Sequence, residues 1–338
     1  MKKIILFGLC FVLAVGAVFA RGQRDGPQRI AIAHNLSTTS PWEIAAQAFA
    51  QYINQNSEGR FIVETFPNGV LNQGSWALAL EMVQAGTIPM AIESLTAIGT
   101  LNPDTGILSL PFLFQDKEHV IRFLDSNVPV WRRWMDQFED NGIVILSETP
   151  RPMRQLNNNV RIVRTPEDIR GMRFRVPPNP LFVEIFEALG AIPVPLPSGE
   201  IYTAIQLGTV SGEDNSIQVQ YDTRTHEVAQ YFTIWNYIAD TTNLFINRDF
   251  FRSLSASDQD LFRRAGRVFT EVNIREDNAL LDVAMRNMRA AGVQFHEMTS
   301  AEKDAFRAMV TGMYRSFETR YSPADWRAFM DGVAATRR

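Results

Sequence analysis

"TPEDIRGMRFRVPPNPLFVEIFEALG", residues 165–190, packs a helix start, a strand and a complete helix into one short span. Thr165 is placed to cap a helix, Pro166 suits the first helical position and Asp168 follows the cap by three residues. "MRFRV" (172–176) reads as a strand. Alternate side chains of a strand share a face, so Arg173 and Arg175 are aimed one way and Met172, Phe174 and Val176 the other. "PLFVEIFEALG" (180–190) is an amphipathic helix stopped by Gly190. Strands that alternate with helices mark an α/β fold. Two cations on one face of a strand also pose a question of function: which anion they are meant to meet.

The same alternation runs outward in both directions. "RIAIAHN" (29–35), "RFIVETF" (60–66), "IPMAIESL" (88–95) and "GIVILSE" (142–148) read as strands. Ser40, Pro41 and Glu43 open a helix that runs to about Asn56, and Thr299 with Glu302 opens another over 299–320. "GEIYTAIQLG" (199–208) is a short helix between glycines, and 323–337 is a last one. The stretch 257–291 has no proline and is stopped by Gly292. As one helix it would be ~50 Å long. Its ends are amphipathic, but "NIREDN" (273–278) is nearly all polar, as expected of a helix that bridges two domains through solvent. Two helices with a kink at that point are the alternative.

At 338 residues the chain has room for two domains, and 46% hydrophobic against 21% charged residues gives it real cores. A net charge of −4 gives no reason to expect nucleic acid as a partner. "MKKIILFGLCFVLAVGAVFA" (1–20) has a basic start, an apolar run and small residues toward Ala20, which is the pattern of a secretory signal peptide cut near Ala20. Residues 21–28 follow as a polar tether. The single cysteine, Cys10, lies inside the signal, so the exported chain has no thiol chemistry.

No nucleophile elbow, phosphate loop or dinucleotide fingerprint is present, and the four histidines are scattered. "HEVAQ" (226–230) lacks the second histidine of a zinc helix, and the neighbouring carboxylates of "GED" (212–214) point apart on either a helix or a strand. Neither an enzyme, a cofactor nor a metal site is expected.

Residues 165–215 resemble the central region of the solute-binding subunits of TRAP (tripartite ATP-independent periplasmic) transporters. The resemblance rests on Gly171, Arg173, Arg175, Gly190, Glu200, Tyr202, Ala204, Gly208, Gly212 and Asn215, with "EGRFIVETFPNGVL" (58–71) and "LPFLFQDKEHV" (110–120) in support. It implies a two-domain α/β periplasmic binding protein with a central ligand cleft and a long helix, 257–291, spanning both domains. The implied division is 29–151 plus 241–275 for the first domain and 152–240 plus 276–338 for the second. The resemblance also implies that Arg175 holds a ligand carboxylate. Arg154 is a candidate second cation, with Arg151, Arg161 and Arg164 competing for that role, and Asn215 is a candidate amide donor. Arginine suits the task because its planar guanidinium makes two parallel hydrogen bonds to a carboxylate.

Departures from the family pattern are Ser211 for its aspartate, Asp214 for its glutamate and Ser198 at a position that often carries an aromatic wall. A smaller, polar wall suits a hydroxylated ligand. Asn35, Thr39 and Glu93, at strand ends, are N-terminal candidates, and Trp235 is a candidate pocket wall. A carboxylate beside the ligand accepts hydroxyl hydrogen bonds, which favours a sugar acid such as a hexuronate or aldonate over a C4-dicarboxylate. The expected partners are that acid and the TRAP membrane subunits. The rival readings are a secreted α/β enzyme acting on a sugar acid and a binding protein for another importer or a sensor.

Overall fold

The computed structural model describes residues 26–338; the stretches read above as a signal peptide and most of a tether lie outside them. Among the described residues, eleven strands form two sheets. They are β1 (Gln28–Ala33), β2 (Phe61–Phe66), β3 (Met90–Ser94), β4 (Ile143–Pro150), β5 (Gln155–Asn158), β6 (Arg173–Val176), β7 (Ile192–Pro195), β8 (Gly212–Asn215), β9 (Tyr231–Ile234), β10 (Thr241–Asn247) and β11 (Gln294–Glu297). The first sheet has the order β2-β1-β3-β10-β4 and the second β11-β9-β5-β8-β6-β7. In the first, β1 runs parallel to β2 and β3, while β10 is antiparallel to both β3 and β4. In the second, β6 is parallel to β7 and β8, and β5 is antiparallel to β8 and β9. The architecture is the expected two-domain α/β fold.

The chain passes between the sheets at 151–154, between β4 and β5, and again at 235–240, between β9 and β10. These segments are bonded to each other: Arg151 N–H donates to the Asp240 carbonyl at 3.0 Å and Arg154 N–H to that of Ile238 at 3.1 Å. A third connection is the helix Ala256–Ala290, continuous over 35 residues and capped by Ser255. Its first half buries Leu261, Phe262, Ala265 and Phe269 in the first core, where Phe262 meets Phe49 and Phe61 edge-on. Its second half buries Ala284 and Met288 against Phe232 and Val293 of the second. Gly266 lets this helix lie directly on β4, since a Cβ there would stand 2.3 Å from the Leu146 carbonyl oxygen.

Two expectations are corrected. The polar midsection of the long helix does not bridge through solvent: Asn273 and Asp277 are both buried there, and the Asp277 carbonyl accepts from Gln218. Asp277 is pushed up to about 6 by burial, against the pull of Lys117 and Arg151. The last helix, Pro323–Ala335, does not join the second domain. Its Phe329 packs on Phe123, Trp131 and Trp134 of the first, and Asp325 pairs with Arg133 at 2.7 Å. The preceding helix, Ser300–Glu318, sits on the second, with Phe306 edge-on to Trp235. Among the described residues no helix is long and apolar enough to cross a membrane, and no cluster of three or more His, Cys, Asp or Glu side chains could hold a metal ion.

Candidate functional site

A small cavity of about 70 Å³ lies where the two sheets face each other beside the crossing segments. Strand β6 delivers Arg175 to it. Phe174 and Val176 are fully buried behind the strand, Arg173 stays exposed at its start and donates to the Gly208 carbonyl, and Pro177 lines the cavity just beyond. Arg175 is only 3% exposed, and its Nε donates to the Leu196 carbonyl at 2.8 Å.

Three arginines line this cavity, and they are not equivalent. Arg154 donates from Nε to Asp214 Oδ2 at 2.5 Å and from Nη2 to the Asp214 carbonyl at 2.7 Å. Burial works against its charge, but Asp214 outweighs that and raises its pKa. Tyr237 donates to the same Asp214 oxygen at 2.7 Å. Arg151 pairs with Asp240 at 2.8 Å and lies over the Trp42 ring at 5.4 Å. Arg175 alone of the three forms no ion pair among the described residues. Burial pulls its pKa down to about 10, with Glu213 the main opposing charge. It remains a cation at neutral pH, held where a charge without a counter-ion is costly.

Glu93 enters from the end of β3 and faces the arginines. Asn35 Nδ2 donates to its Oε1 at 3.1 Å, and Asn35 Oδ1 accepts from Asn72. Burial pushes Glu93 up to about 8, against the attraction of Arg151, so it is largely a neutral acid at pH 7. Asn215, at the end of β8, also lines the cavity; its Oδ1 accepts from Ser216 N–H, which turns the amide nitrogen toward Glu213 at 3.4 Å. Ser198 completes the wall near Arg175, and Trp42 and Trp76 close the opposite side.

The structure thus gathers Arg175, Arg154, Asn215, Glu93 and Asn35 around one space. Two candidates lie elsewhere. Thr39 is exposed and bonds Ser37 in the loop before the first helix. Trp235 is fully buried, its ring 4.1 Å from that of Tyr237 and packed on Phe112 and Phe306, which makes it core rather than wall. Arg151, named only as a competitor, lines the cavity as well. Asp240 had no signal in the sequence: it accepts from Thr96 N–H and Thr241 N–H and pairs with Arg151, tying the crossing segments to the turn that follows β3.

Such a space can bind and orient an anion. The signature of the bacterial extracellular solute-binding proteins, family 7, matches residues 32–320. The ectoine/5-hydroxyectoine-binding periplasmic protein UehA of Ruegeria pomeroyi is 30% identical over 266 residues, 78% of this chain and 77% of the relative. A TRAP periplasmic solute-binding protein from Roseobacter denitrificans, with bound β-D-glucuronate, superposes with a TM-score of 0.86 at 25% identity, covering 92% of this chain and 100% of the other. One from Bordetella bronchispeptica, with density interpreted as pantoate, gives a TM-score of 0.84 at 27% identity over 90% and 99% of the two chains. A signature spanning both sheets, together with this shared architecture, places the chain in family 7 of the bacterial extracellular solute-binding proteins, the solute-binding family of TRAP transporters.

Proposed function

We propose that this protein captures a small hydroxylated carboxylate, a sugar acid such as a hexuronate or aldonate in preference to a C4-dicarboxylate, and delivers it in the periplasm to TRAP membrane subunits. The observation that carries the reading is Arg175, a buried guanidinium with free donors and no carboxylate partner among the described residues. An incoming carboxylate supplies the missing counter-charge and two parallel hydrogen bonds. Arg154 and Arg151 already have protein partners, so they stiffen the site and add positive potential. Glu93 and Asn35 offer hydrogen-bonding partners for hydroxyl groups at the other side. The glucuronate and pantoate of the two solved relatives are both hydroxylated acids, in keeping with this choice. Ligand bridging the two domains favours the closed arrangement, and the membrane subunits respond to that shape.

Thermal shift against hexuronates, aldonates, C4-dicarboxylates and 2-keto acids tests the reading. A sugar acid should raise the melting temperature through mass action, and more than succinate does. A panel in which only uncharged polyols or only dicarboxylates act would refute it.

A further inference from the structure

We infer that Asp222 and Asn179 are positioning residues for capture: each reaches from the second domain to bond the first, beside the acid-binding cavity but outside its lining, and the two bonds set how long the acid is held. This deepens the acid-capture reading and rests on it. Asp222 ends the helix Ile217–Asp222. One face of that helix is fixed to its own domain: Ile217 and Tyr221 pack with Phe232, the Tyr221 hydroxyl accepts from Asn287 at 2.7 Å, and Gln220 donates to the Gln155 carbonyl at 3.3 Å. The other face meets the first domain. Val219 packs with Leu36 and Trp42, and Asp222 accepts from Ser37 N–H at 3.1 Å through Oδ2 and from the Ser37 hydroxyl through Oδ1. Ser37 is held ready for this by the turn before the helix Pro41–Asn56. Its carbonyl accepts from Ser40 N–H at 3.2 Å and from the Ser40 hydroxyl at 2.7 Å. Its Oγ accepts from Thr39 N–H at 3.3 Å, which leaves the hydroxyl hydrogen for Asp222. Hydrogen bonds to a carboxylate are roughly twice as strong as those between neutral groups.

The second bond comes from a different pair of elements. Asn179 caps the helix Pro180–Ala188 by accepting from Leu181 N–H at 2.9 Å through Oδ1, which turns its Nδ2 to the Thr96 carbonyl of the first domain at 2.7 Å. Thr96 N–H is tied to Asp240 at 3.2 Å, so the acceptor is fixed in place. Leu36 and Val219 line the cavity next to the first bond, and Thr96 and Pro177 line it next to the second. Ser37, Asp222 and Asn179 themselves are not among the lining residues, so they act on the acid only through the domains they join. Parting the domains separates Ser37 from Asp222 and Thr96 from Asn179. Loss of either bond therefore eases release of a captured acid and leaves its first encounter with the protein unchanged.

Stopped-flow tryptophan fluorescence with D-glucuronate and D-galactonate tests this, since Trp42 and Trp76 line the cavity. Asp222→Ala should raise the dissociation rate ~10-fold and keep the association rate within about twofold of the parent's. Ser37→Ala, which changes no charge and removes one of the two bonds, should raise dissociation ~3-fold. The double variant should dissociate no faster than Asp222→Ala, because a bond already removed cannot be lost again. Asn179→Ser keeps a helix cap but withdraws the amide from Thr96, and should raise dissociation ~10-fold. A parent-like dissociation rate in Asp222→Ala or Asn179→Ser, or effects of Ser37→Ala and Asp222→Ala that multiply in the double variant, would overturn the inference and leave acid capture standing. Failure of the parent to bind either acid would overturn acid capture and this inference together.

Discussion

At the scale of single residues, the three arginines separate structure from binding. Arg175→Ala removes a charge that forms no ion pair among the described residues, so the ligand-free protein should lose little stability while affinity for the acid falls by about 2–5 kcal/mol. Arg175→Lys keeps the charge but not the fork and should weaken binding markedly as well. Arg154→Ala strands Asp214 in the interior and should cost about 3–5 kcal/mol of folding stability even without ligand. Paired urea melts and titrations read both effects, and wild-type affinity in Arg175→Ala would remove that residue from the site. Glu93 gives a pH test. Its pKa in the folded protein, about 8, stands above the ordinary 4.5, so the native state keeps a proton that the unfolded chain has released. Ligand-free stability should therefore fall as pH rises through that window and stop falling on this account above it. The groups facing Glu93 are Arg151, Asp240, Asn35 and the Ser94 amide. Glu93→Gln should show a smaller drop in melting temperature between pH 5 and pH 8 than the parent, and an equal drop would assign the pH dependence elsewhere.

At the scale of elements, Gly266 decides how closely the long helix approaches β4. Alanine is the better helix former by about 1 kcal/mol. A methyl group 2.3 Å from a backbone oxygen cannot be accommodated without moving the helix, which typically costs about 1–3 kcal/mol. Gly266→Ala should therefore destabilise the protein in denaturant melts, and a gain in stability would show that the helix has room to shift. The same level shows what could be read from the sequence. The apolar alternation of β1 to β4 and of β6, and the capping boxes at Thr165 and Thr299, were visible because each is local chemistry. At Ser40 only half the box forms: Ser40 accepts from Glu43 N–H, while Glu43 turns to His34 and Thr65. Strands β5 ("QLNN") and β8 ("GEDN") were hidden because they are wholly buried yet mostly polar. Their polar side chains find partners in neighbouring backbone and in the segment after them: Asn157 Oδ1 accepts from Glu213 N–H, and Thr225 donates to Glu213. No periodicity of hydrophobic residues can reveal strands of that kind. Arg175 stood out through its motif and Asn215 through its turn, but Arg151 and Asp240 join the site only through the crossing of two distant segments. The converse error was Trp235, since an aromatic side chain carries no local mark of whether it faces a ligand or a core.

At the scale of the whole molecule, the cavity walls come from both domains, with Glu93 and Asn35 on one side and Arg175 and Asn215 on the other. Binding at such a position should draw the domains together. Solution X-ray scattering should record a smaller radius of gyration on adding a tight-binding acid, and Arg175→Ala should lose the change at the same ligand concentration. An unchanged profile with saturating ligand would contradict closure. The return of the last helix to the first domain adds something to this motion. Counting the turn at 319–322, four stretches of chain rather than three run from one half to the other, two of them bonded side by side. Bodies lashed at that many points keep few degrees of freedom: they can swing about a common line but cannot drift apart or slide. Severing the backbone within that turn, by an inserted protease site, would release one lashing and broaden the range of angles the empty protein explores.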